Sequence, residues 1–185
     1  MSSQKTGSKV IVITGASSGI GKATAQALVD EGNKVALIAR SEDKLNDLVA
    51  DLGEANAFAV TADVSDFNDL EKAFSKVAQH YGHVDGVFAN AGTGAKSAGI
   101  ENGDVAEWKS MLGANVNGLL YTAKLGLPLL KKTKGHFILT SSVAGRIALK
   151  GSVYGASKWF AYGFGQNLAE EMREWGGRCT TICPG

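Results

Sequence analysis

Short apolar runs alternate along the chain with longer stretches of mixed apolar and polar residues. Lys9–Thr14 (KVIVIT) is β-branched and nearly continuous, the pattern of a strand buried on both faces. Ile20, Ala23, Ala27, Leu28 and Glu31 then recur at helical spacing, and Gly32-Asn33 supplies a stop. The alternation continues with a strand at Lys34–Ala39, a helix over Glu42–Leu52, a strand at Ala57–Thr61, a helix over Phe67–Tyr81 and a strand at Asp85–Ala89. A Gly-rich loop, Gly92–Gly103, precedes one long predicted helix from Asp104 to Lys131. A strand at His136–Ser141, a helix over Ser152–Glu174 and a strand at Arg178–Cys183 follow. Strands separated by helices predict an α/β fold with a parallel sheet and helices on both faces. Right-handed crossovers make that sheet doubly wound, and ligands then bind beyond the carboxyl ends of the strands.

Composition narrows the picture. The chain of 185 residues accommodates one domain with its own core. Lys+Arg at 19 against Asp+Glu at 18 excludes a protein that coats polyanions by bulk charge, and no basic stripe or nucleic-acid module is present. Two Cys rule out a disulfide scaffold and a four-thiolate zinc site. His80, His83 and His136 show no ligand spacing, so no metal is expected. Cys179 and Cys183 fall on the sixth predicted strand and read as core residues. No apolar run reaches a membrane span, and MSSQKTGSK lacks the apolar centre of a secretory signal, so a cytoplasmic location is expected.

The chemistry gathers just after the strands. Thr14-Gly15-Ala16-Ser17-Ser18-Gly19-Ile20-Gly21 leaves the first strand and opens the first helix. Gly15 permits a sharp turn, Gly19 lets backbone amides approach a phosphate, and Gly21 lets the helix lie close to the sheet. The helix N-terminus then offers unpaired N–H groups to an anion.

This TGASSGIG turn resembles the cofactor turn of the short-chain dehydrogenase/reductases. Four further motifs stand in that family's order: Asp63-Val64, Asn90-Ala91-Gly92, Ser142 with Tyr154-x-x-x-Lys158, and Pro184-Gly185. The resemblance implies a Rossmann-type, three-layer αβα fold over residues 1–185. The cofactor would lie against Gly15, Ser17, Ser18, Gly19, Ile20, Gly21, Arg40, Asp63, Val64, Asn90, Ala91, Gly92, Tyr154, Lys158, Pro184 and Gly185. Asp63 resembles the family's contact to the adenine edge, with Val64 beside the ring. An Asp in that place is equally a helix N-cap. Members carry Asn before the Asn of the Asn-Ala-Gly turn, where this chain has Ala89. They also continue past the Pro-Gly turn with a substrate-covering loop, helices and a seventh strand, so the chain is expected to stop short after strand six.

The end of the second strand distinguishes the nucleotides. An acidic residue there binds the ribose hydroxyls of NAD, whereas this chain has Ala39 followed by Arg40. A guanidinium with no carboxylate beside it favours a 2′-phosphate, so NADP(H) is expected in preference to NAD(H), which stays possible. Lys44 adds charge nearby or is simply a solvated helix residue.

Tyr154 and Lys158 are four apart and share a helix face. A free phenol, with a pKa near ~10, exchanges protons poorly at neutrality, and a neighbouring ammonium favours its anion. Such a tyrosine can protonate a carbonyl oxygen as hydride arrives, while the Ser142 hydroxyl hydrogen-bonds the same oxygen. Ser141 competes with Ser142, since strand alternation turns only one of them to the site. The resemblance makes Asn115 the family's catalytic Asn, holding a water against Lys158, although Asn117 has equal claim by composition. It also implies a homo-tetramer or homo-dimer, with Trp159 and Phe160 on the packing helix. The expected function is NADP(H)-dependent hydride transfer to or from a small-molecule carbonyl or alcohol. The competing reading is a protein, or an inactive fragment, that binds NADP(H) without turnover.

Overall fold

The structure, a computed structural model, describes residues 7–95 and 99–185. In chain order the elements are β1 (Val10–Thr14), α1 (Gly19–Asp30), β2 (Lys34–Ala39), α2 (Glu42–Leu52), β3 (Ala57–Thr61), α3 (Phe67–Tyr81), β4 (Gly86–Ala89), α4 (Val105–Leu112), a π-turn (Gly113–Asn117), α5 (Gly118–Thr133), β5 (His136–Thr140), a 3-10 turn (Val143–Gly145), α6 (Val153–Arg173) and β6 (Arg178–Ile182). The six strands form one parallel sheet in the order β3-β2-β1-β4-β5-β6. This is the doubly wound, Rossmann-type arrangement that the sequence predicts.

Alternation along the strands splits the core in two. Val12, Ile38, Val87 and Phe137 point to one face, where they meet Leu70 and Phe74 of α3, Leu119 and Leu130 of α5, and Leu168 of α6. Ile13, Leu37 and Phe88 point to the other, where they meet Ala25 of α1 and Leu45 and Leu48 of α2. Both faces of the central strands are therefore apolar, which explains the unbroken runs in the sequence.

Four expectations need correction. The single helix predicted over Asp104–Lys131 is two helices joined by the π-turn, whose wider backbone turn carries no signature in hydrophobic spacing. Asp66, not Asp63, caps α3 by accepting from the Asp69 amide at 3.0 Å. The stripe Ile20, Ala23, Ala27, Leu28 and Glu31 lines a shallow outer groove, while the small residues Gly21 and Ala25 are the buried ones of α1. The helix lies too close to the sheet for larger side chains there. Strand ends also differ by a residue: β1 and β4 start at Val10 and Gly86, β5 and β6 stop at Thr140 and Ile182, and Cys183 lies outside its strand. Cys179 packs partly buried against the core, and burial pushes its thiol up to about 11. Part of the predicted Gly92–Gly103 loop, at 96–98, lies outside the described residues.

Candidate active site

β1 and β4 are neighbours at the centre of the sheet, where the strand order reverses. A crevice opens there beyond the carboxyl ends. It has a volume of about 790 Å³ and receives residues from the ends of all six strands. That size suits an extended small-molecule cofactor.

The turn after β1 forms one wall. Gly15 adopts φ +67°, and a Cβ there would stand 2.8 Å from the Ala91 Cα, so both conformation and space require glycine. Gly19 adopts φ +52° and faces open space, leaving its backbone approachable. A Cβ on Gly21 would collide with the Gly15 carbonyl, so this residue shapes the turn from beneath and does not line the crevice. Ser18 precedes α1 without a side-chain cap, and no acidic residue occupies the first turn. Ser17, Ser18, Gly19 and Ile20 thus border a helix N-terminus with unpaired donors and no competing carboxylate. Asn90 fixes this wall to its neighbours. Its Nδ2 donates to the Thr14 and Gly15 carbonyls at 3.3 and 3.4 Å, and its Oδ1 accepts from Thr140 Oγ1 at 3.2 Å.

The far end is polar and exposed. Arg40, Ser41, Lys44, Asp63, Val64 and Ser65 line it. The Arg40 side chain is 74% exposed and touches Asp63 only at 4.0 Å, a contact of little energetic weight. Asp63 accepts from the Ser65 amide and hydroxyl at 2.9 and 2.8 Å, holding a tight turn.

At the other end, Ser142, Tyr154, Lys158, Pro184 and Gly185 converge with Ala91 and Gly92. The two serines separate clearly. Ser141 is buried and its hydroxyl donates to the Lys158 carbonyl at 2.7 Å. Ser142 Oγ accepts from the Ala144 amide at 3.1 Å, which leaves its proton for a ligand. Tyr154 is half-buried, and the Lys158 ammonium lies 5.8 Å from its ring centre. Lys158 is 6% exposed and donates to the Thr140 carbonyl at 3.1 Å. Burial lowers its pKa below the ordinary lysine value, because desolvation penalises the charged form. The structure also separates the two asparagines: Asn115 is buried within the π-turn and Asn117 is exposed. Asn115 does not line the crevice itself. Together with Lys158 it borders a small internal cavity of about 10 Å³ behind the crevice wall.

Sequence reasoning missed three parts of this framework. Thr93 is held by Asn115 at both its amide (2.8 Å) and its carbonyl (2.9 Å), a pairing that no local pattern announces. Gly145 has no room for a Cβ beside the Lys158 carbonyl carbon, at 2.7 Å, so the 3-10 turn rests on α6. Ser157, one turn from Tyr154, was legible as a polar residue on the same helix face but not singled out. Among the described residues, no trio of His, Cys, Asp or Glu is placed to hold a metal, and no helix is long and apolar enough to cross a membrane.

Comparison with known proteins agrees with this geometry. The short chain dehydrogenase family model matches residues 9–185. The chain is 37% identical over 179 residues to oxidoreductase BOA17 of Botryotinia fuckeliana, covering 96% of this chain and 65% of that protein. It has the same identity to an uncharacterized oxidoreductase of Staphylococcus epidermidis, of which it spans 77%. Among solved structures, an alcohol dehydrogenase from the archaeon Thermococcus sibiricus, complexed with 5-hydroxy-NADP, superimposes with a TM-score of 0.90 at 34% identity, covering 96% of this chain and 76% of that one. A 3-ketoacyl-(acyl-carrier-protein) reductase from Brucella melitensis, complexed with NADH, gives 0.90 at 28% identity over 95% and 75%.

Proposed function

The chain belongs to the short-chain dehydrogenases, and from that premise we propose that it is an NADP(H)-dependent oxidoreductase acting on a carbonyl or secondary alcohol. The observation that carries the reading is the meeting, in one crevice, of an uncapped glycine-rich helix N-terminus with Ser142, Tyr154 and Lys158.

The donor set fits a dinucleotide. The first turn of α1 offers amides to its diphosphate, the Asp63–Ser65 turn borders its adenosine, and Arg40 is free enough to meet a 2′-phosphate. When bound, the nicotinamide supplies or accepts the hydride. Ser142 donates a hydrogen bond to the substrate oxygen and stabilises charge developing there. Tyr154 gives that oxygen a proton during reduction and takes it back during oxidation. Lys158 sets a buried positive charge beside the phenol, and the Thr140 carbonyl aims it. Asn115 anchors the wall through Thr93 and supports the proton path from behind Lys158.

The named neighbours support a nicotinamide cofactor and divide on which one, since one carries an NADP derivative and another NADH. The preference for NADP(H) therefore rests on Ala39-Arg40 in this chain. A cytoplasmic location and a homo-dimer or homo-tetramer complete the proposal. Oxidation of NADPH on addition of ketones, followed by nicotinamide absorbance, tests it. Binding of NADPH with no oxidation by any ketone in a broad panel would favour a binding protein.

A further inference from the structure

We propose that Ser157 is a positioning residue of this site, clamping the Asn115 amide to the first turn of α6 so that Tyr154 is held in register with the crevice wall. The inference rests on the hydride-transfer reading above. Ser157 is 2% exposed. Its hydroxyl donates to the Tyr154 carbonyl at 2.7 Å and accepts from Asn115 Nδ2 at 3.0 Å. The first bond alone would be an ordinary local back-bond within a helix. The second ties that helix to a different element, the π-turn, across 42 residues of sequence.

The network is fully used. Both Asn115 amide protons are donated, one to Ser157 and one to the Thr93 carbonyl, while its oxygen accepts from the Thr93 amide. Thr93 lines the crevice directly after Gly92. One hydroxyl therefore joins the crevice wall, the π-turn and the start of α6. Without it, an Asn115 N–H is left unpaired in a buried setting, and α6 can slide relative to the wall. Small misplacements of a proton donor slow chemistry without weakening cofactor binding.

Ser157→Ala and Ser157→Cys, the latter similar in size but a weaker donor and acceptor, provide the test. With NADPH and an accepted ketone, Ser157→Ala should lower kcat about tenfold, leave the NADPH Kd unchanged, and raise the primary isotope effect with deuterated NADPH. Ser157→Cys should fall between, and it carries the test if the alanine variant does not fold. Wild-type kcat in Ser157→Ala overturns the proposal, as does a kcat loss that only follows the folded fraction with an unchanged isotope effect. Wild-type protein without turnover would overturn the hydride-transfer reading instead. Amide exchange at Thr93 then decides the clamp: faster exchange in either variant supports it, and unchanged exchange overturns it.

Discussion

Gly92→Ala places a methyl group where the two buried polar side chains of the candidate site meet the crevice. Its Cβ would stand 2.9 Å from Asn115 Oδ1 and 3.4 Å from Lys158 Nζ. Carbon contacts are comfortable at ~3.5 Å or more, so the carboxamide must retreat by roughly half an ångström. It cannot do so freely, because Thr93 and Ser157 hold it through three hydrogen bonds of 2.8 to 3.0 Å. Loosening one or two such bonds costs about 2 kcal/mol. For a chain of this length that corresponds to a fall in Tm of roughly 4–8 °C. Displacement of Lys158 and Asn115 should also cut kcat by about tenfold or more. Gly94→Ala is the control, since nothing lies within 4 Å of its Cβ and its φ is not positive. It should hold its Tm or gain slightly, by up to ~1 kcal/mol, through a less flexible unfolded chain. Calorimetry and initial rates on the two variants make the comparison. Equal Tm and equal kcat in both would refute the crowding argument.

Arg40→Ala should weaken NADPH binding by about tenfold and leave NADH unaffected, because an exposed guanidinium contributes a charge-assisted bond moderated by solvent. Fluorescence titration of both nucleotides measures this, and parallel changes would remove Arg40 from the discrimination. Lys158→Met should abolish turnover yet unfold at a higher temperature at neutral pH. Burial lowers the Lys158 pKa in the folded state, so its charged form destabilises the protein below that lowered value. The penalty disappears as pH rises through the window up to the ordinary lysine value near ~10.4. The Tm advantage of the methionine variant should shrink across that window, offset in part by the partner lost to the Thr140 carbonyl. A variant less stable than wild type at neutral pH would contradict this sign.

Much of the fold was legible because its cause is local. KVIVIT and KVALIA are apolar throughout since both faces of their strands are covered, and TGASSGIG needs glycine at φ +67° and +52° whatever surrounds it. Tyr154 and Lys158 reach the crevice together because four residues make about one helical turn. What stayed hidden depends on distant partners. No hydrophobic period distinguishes a π-turn from the helices around it, so the burial of Asn115 and exposure of Asn117 became visible only in three dimensions. The division of labour between Ser141 and Ser142 depends on the Lys158 carbonyl, 17 residues from Ser141. The outward stripe of α1 misleads in the opposite way: its apolar spacing is helical, but Gly21 and Ala25 make the contact with the sheet.

The most direct measurement is the single-turnover rate of ketone reduction by Tyr154→Phe, with NADPH saturating and its Kd measured alongside. Removal of the proton donor should slow the step by at least about a hundredfold while NADPH stays bound as tightly as before. A rate close to that of the unmodified protein would show that the proton comes from elsewhere.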